Sequence, residues 1–128
     1  MKLGVLFTLN AVIAAAFGIG FILAPAQVLE AYGVTLTPGT ALVSRLFGAA
    51  LVGYGILTWQ VRAAASSDAL RAIVLALFVG DLVGFGISLQ GVLAGATNAL
   101  GWSTVVIYAL LAAGFGYFAF GKSGSPAT

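Results

Sequence analysis

The sequence predicts an all-α integral membrane protein, a four-helix bundle with a short interfacial helix between its first and second spans. Composition is the first reason: of 128 residues, 62% are hydrophobic and 6% charged, against about 25% charged in soluble domains. The mean hydropathy of +1.16 agrees. The second reason is length, because the apolar residues fall into four runs, each close to the roughly 20 residues that a helix needs to cross a bilayer. The third is the single acid, Asp81, inside the third run. No soluble catalytic domain is expected beside a bundle of that size.

The first span is expected over residues 3–24, after Lys2 and before Pro25, whose ring opposes helix continuation. Ala24-Pro25-Ala26 has the small-residue look of a signal-peptidase site. The run before it exceeds the roughly 7 to 15 residues of a signal h-region, so retention as a span is expected. Residues 26–32 contain helix formers and stop at Gly33, which suits a left-handed cap, so a short helix at headgroup level is expected, with Glu30 and Tyr32 at the interface. Pro38 and Gly39 then turn the chain back.

A second span is expected over residues 41–61, with Arg45 near its start and Trp59 and Arg62 at its end. Ser66 or Ser67 can cap the third, expected over 70–93, and Asp68 suits its positive N-terminal end. Gly95, Thr97, Asn98 and Gly101 mark the next turn. The fourth span is expected over 102–120, opened by Trp102. The four-span domain is thus 1–121, with 122–128 a polar tail.

Lys2, Arg62, Arg71 and Lys122 all flank one side of these spans, and the two loops on the other side contain no Lys or Arg. The positive-inside rule then predicts a multi-pass membrane protein with both termini and the middle loop cytoplasmic. Trp59 and Trp102 fall at opposite interfaces as anchors. The net charge of +2 comes from scattered residues that form no patch, so no nucleic-acid partner is expected. With neither Cys nor His, the chain lacks thiolate and imidazole, which excludes His-ligated haem, typical zinc sites, iron–sulfur clusters and a Ser-His-Asp triad. No cofactor, no metal and no enzymatic activity are expected.

Asp81 lies about ten residues past Arg71, roughly 15 Å into the membrane at 1.5 Å per residue. A carboxylate facing lipid at that depth costs roughly 2.5 to 3.5 kcal/mol or more, so it should turn inward. One role is a proton or cation relay or the anchor of a polar ligand. The other is a structural carboxyl, neutral or hydrogen-bonded to Asn10, Tyr54 or Tyr108, that fixes helix register. Asn10 falls roughly 12 Å from Lys2, at a similar depth, and an amide there suits an interhelical hydrogen bond. Asn10, Arg45, Tyr54, Asp81 and Tyr108 are therefore the candidate buried polar site. Arg45 has three options: snorkelling to the interface, pairing with Glu30, or reaching Asp81 from about 10 Å farther out.

Asp81, Gly84, Ser88, Gly91 and Gly95 recur every three or four residues, one stripe of small or polar groups along a helix. Of 18 glycines, Gly48, Gly55, Gly80, Gly84 and Gly91, together with Ser88, are expected to let neighbouring helices approach closely. No phosphate loop is present, since no Lys-Ser/Thr follows a glycine run. Phe78, Phe85, Phe115 and Phe118 could wall a pigment or quinone pocket, though packing is the usual task of such side chains.

The run Arg45-Leu-Phe-Gly-Ala-Ala-Leu-Val-Gly-Tyr-Gly, after a first span ending at Pro25 and Tyr32-Gly33 and before Asn98-Ala-Leu-Gly-Trp102, resembles the small four-span bacterial membrane proteins of the broad DoxX-like type. The resemblance covers most of the chain and implies a four-helix fold in a bacterial inner (cytoplasmic) membrane; some members are associated with oxidoreductase systems as small subunits. Small multidrug transporters are similar in size, but their first-span Glu is absent, with Ala at positions 14 to 16. Fluoride channels are also similar in size, but their polar track and dual topology are not found here. The leading expectation is therefore a non-catalytic membrane protein acting by association, as an accessory subunit of a larger membrane complex or as a homo-oligomer. Its expected partners are the lipid bilayer and other membrane subunits or copies of itself. A small transporter or proton-linked channel using Asp81 is the alternative, and a lipid- or quinone-binding protein the weaker one.

Overall fold

The computed structural model describes residues 2–121 and shows an all-α four-helix membrane bundle with a fifth, short helix. The long helices are α1 (Leu3–Leu23), α3 (Pro38–Val61), α4 (Asp68–Leu93) and α5 (Gly101–Phe120), and α2 (Pro25–Ala31) joins α1 to α3. All four long helices are apolar and long enough to cross a membrane. The expected tail, 122–128, lies outside the described residues.

Helix starts follow local chemistry. Thr37 caps α3 in a reciprocal box: its hydroxyl accepts from the Thr40 amide at 3.0 Å while Thr40 Oγ1 accepts from the Thr37 amide at 2.7 Å. Pro38 then occupies the first turn, where its missing N–H costs nothing. The helix thus begins three residues before the expected 41, because Pro38-Gly39 opens it instead of turning the chain. Ser67 caps α4, its hydroxyl accepting from the Leu70 amide at 3.1 Å. Arg71 pairs with Asp68 at 3.0 Å across that first turn.

The helices form two antiparallel pairs. In the α1–α3 pair the backbones nearly touch: a Cβ at Gly48 would stand 2.7 Å from the Gly18 carbonyl oxygen, and one at Gly4 would run into the Arg62 carbonyl. Side chains must be small there, and α3 buries only Ser44, Gly48, Gly55 and Thr58. In the α4–α5 pair the Tyr108 ring lies on Gly84 and the Phe78 ring on Gly116. Lys2, Arg62 and Arg71 share one end of the bundle, the basic end; α2 and the α4–α5 turn share the other.

Between the pairs, packing differs from end to end. The buried stripe of α1 starts large with Leu3, Leu6 and Phe7 and continues small with Asn10, Ala11, Ala14 and Gly18. Along α4, Leu70, Val74 and Leu77 give way to Asp81 and Gly84, and along α5 the largest buried groups, Phe115 and Phe118, lie toward the basic end. The large groups form one apolar cluster there, Phe7 against Phe115 with ring centroids 5.7 Å apart. Toward α2 the small groups cannot fill the same gap, and the bundle is hollow.

α2 closes that end. Pro25 and Leu29 are buried, and the segment is tied to the α4–α5 turn: Asn98 N–H donates to the Tyr32 carbonyl at 2.9 Å and Asn98 Nδ2 to the Ala31 carbonyl at 2.9 Å. Thr104 Oγ1 donates to the Tyr32 hydroxyl at 3.2 Å. Gly33 carries a φ of +75°, and a Cβ there would press on Asn98 at 3.2 Å. The helix expected to lie at headgroup level is thus a roof on the bundle.

Candidate functional site

The hollow is a cavity of about 450 Å³ between the two helix pairs. Its floor is polar. Asn10, Tyr54, Asp81 and Tyr108 come together around it from four helices, just above the apolar cluster. Phe17, Phe21 and Phe47 wall it, the last two meeting edge to face at 5.4 Å, and Leu29, Tyr32 and Val34 cover it from α2 and the segment after it.

Asp81 is 8% exposed and lines the cavity. Its Oδ2 is buried and accepts no hydrogen bond from any described residue, although hydroxyls and an amide line the same space. Thr97 Oγ1, at the roof, is likewise buried and unpartnered. Both orphaned polar atoms found among the described side chains therefore belong to one cavity. Unsatisfied buried groups are uncommon in folded proteins, and here two of them line a single hollow.

Several expectations change. Asn10 does not bond Asp81; its Nδ2 donates to Thr58 Oγ1 at 3.4 Å, and that hydroxyl in turn donates to the Tyr54 carbonyl at 2.9 Å. Arg45 is exposed, lines no part of the cavity and pairs with neither Asp81 nor Glu30. The reason is helical phase: Ser44 is on the face against α1, and the next residue points about 100° away. Arg45 leaves the candidate site.

Gly48 and Gly55 stand against α1, Gly80 beside the Tyr54 hydroxyl and Gly84 under the Tyr108 ring. The nearest neighbour to a Cβ at Gly91 would be Ala96 at 4.0 Å, in the turn after α4, so no other helix approaches there; Ser88 bonds its own helix, donating to the Phe85 carbonyl at 3.1 Å. Trp59 and Trp102 are both half-exposed near opposite ends of the bundle, and the Arg62 guanidinium lies 3.7 Å over the Trp59 ring. Of the expected pocket aromatics, Phe115 and Phe118 are in the apolar cluster, Phe78 packs against it and Phe85 does not line this cavity.

No family model, curated protein or solved structure matches this chain. Its geometry alone carries the functional reading.

The opening is the most informative part of that geometry. Among the lining residues, those exposed are Phe47, Ala50 and Tyr54 on α3 and Gly80 on α4. The residues contributed by α1, α2 and α5 are buried or half-buried. The cavity thus opens sideways, between α3 and α4, along an apolar flank of the bundle. Sequence reasoning missed Phe17, Phe21, Phe47, Tyr32, Thr97 and Thr104. A readable signal for the hollow existed, the change from large to small residues along the inner stripes of α1 and α4.

Proposed function

We propose that this is a non-catalytic membrane protein that works by binding: it takes a small, mostly apolar molecule from the bilayer into the cavity and holds its polar end on the floor at Asp81. One observation carries the reading, a cavity of about 450 Å³ whose exposed lining lies only on α3 and α4. That volume is within the roughly 300 to 1,000 Å³ of small-molecule sites, which combine apolar walls with a few placed polar groups. A lateral mouth suits a ligand already dissolved in lipid. Lys2, Arg62 and Arg71 at one end favour that end as the cytoplasmic one, and the DoxX-like resemblance favours a bacterial inner membrane.

The test is saturable uptake of 1-pyrenemethanol by the purified chain in detergent. The wild type should bind it at one site per chain, and Ala14→Phe, which places a ring inside the cavity wall, should reduce binding at least about tenfold. Equal, non-saturating partition into both proteins would reject the reading.

A second reading, association as an accessory subunit or homo-oligomer, is favoured by the outer faces of α3 and α4. A Cβ at Gly53 or Gly86 would have nothing within 4 Å, so a neighbouring helix could approach closely. The DoxX-like resemblance points the same way. A proton-linked channel has less support, because Asp81 stands on the apolar cluster that fills the basic end.

A further inference from the structure

The floor of the cavity has acceptors to offer and one acid without a basic counterpart. Asp81 supplies a carboxyl whose Oδ2 is unpartnered, and the other polar groups around it are the neutral Asn10, Tyr54 and Tyr108. Asn10 is engaged with Thr58. Lys2, Arg45, Arg62 and Arg71 are all exposed and none lines the cavity. An acid in a low-dielectric site is stable only when something supplies hydrogen bonds and opposite charge. The walls are compatible with a cation as well: Phe17, Phe21, Phe47, Tyr54 and Tyr108 line the space, and the faces of aromatic rings attract cations.

We propose that the ligand is an amphipathic amine, whose ammonium head donates to Asp81 between the tyrosines while its apolar body lies against Phe17, Phe21 and Phe47. The proposal rests on the cavity reading and narrows it from any lipid-soluble molecule to a cationic one. An ammonium has three donors and no acceptor, which matches a floor whose free polar atom is an acceptor. A carboxylate-bearing ligand would set two acids side by side in a site without a cation. A neutral alcohol fits the volume but brings the acid no opposite charge.

The experiment uses the full chain in detergent micelles and three probes with one body and different heads: 1-pyrenemethylamine, 1-pyrenemethanol and 1-pyrenecarboxylate. Binding is read by fluorescence anisotropy, with Ala14→Phe in the same micelles as the baseline for partition into detergent. The wild type should prefer the amine to the alcohol by about tenfold or more, with the carboxylate weakest. In Asp81→Asn, checked for a monodisperse gel-filtration peak, that preference should fall to near parity. Equal binding of amine and alcohol to the wild type overturns the proposal and leaves the cavity reading standing, as does an amine preference that survives in Asp81→Asn. Absence of saturable binding by all three overturns both. Should Asp81→Asn fail to fold, the wild-type ratio decides alone.

Discussion

Asp81 costs this protein stability. Its Oδ2 is shielded from solvent and meets no donor, and a buried polar group in that condition is worth about 1 to 3 kcal/mol of destabilisation. Asp81→Leu should accordingly stabilise the ligand-free protein by about 1 to 3 kcal/mol, read as a higher midpoint in SDS titration, while abolishing amine binding. A lower midpoint would mean that the carboxyl is held by a partner and that its role is structural. Arg45 shows how much one position of helical phase decides. Ser44 is buried and Arg45 exposed, and nothing in the composition of α3, whose two faces are both rich in small and apolar residues, indicates which of them turns inward.

At the level of helices, proximity is set by the absence of side chains. Gly48 and Gly18 let α1 and α3 meet backbone to backbone, whereas Gly53 and Gly86 face open space. Gly48→Leu should therefore cost about 1 to 3 kcal/mol through overpacking against backbone that cannot retreat. Gly86→Leu should leave the SDS midpoint within about 0.5 kcal/mol, as expected for a change that touches nothing. Equal losses at the two positions would show that helix propensity, not contact, governs the response.

The extent of the four spans was legible because length and hydropathy decide whether a helix can live in lipid. The start of α3 was not, since Thr37-Pro38-Gly39 reads equally as a turn or as a capped first turn until Thr40 is seen to close the box. The inward-facing acid was legible from its cost in lipid; its lack of a partner was not, because Asn10 at matching depth bonds Thr58 instead. The roof was hidden for another reason: Tyr32 and Asn98 are far apart in sequence, and no local pattern announces a hydrogen bond between them.

For the whole molecule, the α1–α2–α3 segment and the α4–α5 hairpin are each closely packed within themselves and meet each other mainly through the cluster at the basic end and the hydrogen bonds at the roof. Each half carries its own tight interface. Co-expressed fragments 1–64 and 65–128 should consequently assemble in the membrane and co-purify through a tag on either one; recovery of the tagged fragment alone would show that the covalent loop is needed for pairing.

The cavity's two seals are made of different materials. At one end nine buried apolar side chains interlock; at the other, the join depends on a few hydrogen bonds among Ala31, Tyr32, Asn98 and Thr104, each worth about 0.5 to 1.5 kcal/mol net. Thermal breathing will begin at the weaker of the two. Of the two aqueous ends, the α2 side is therefore the one from which water should reach Asp81 more easily.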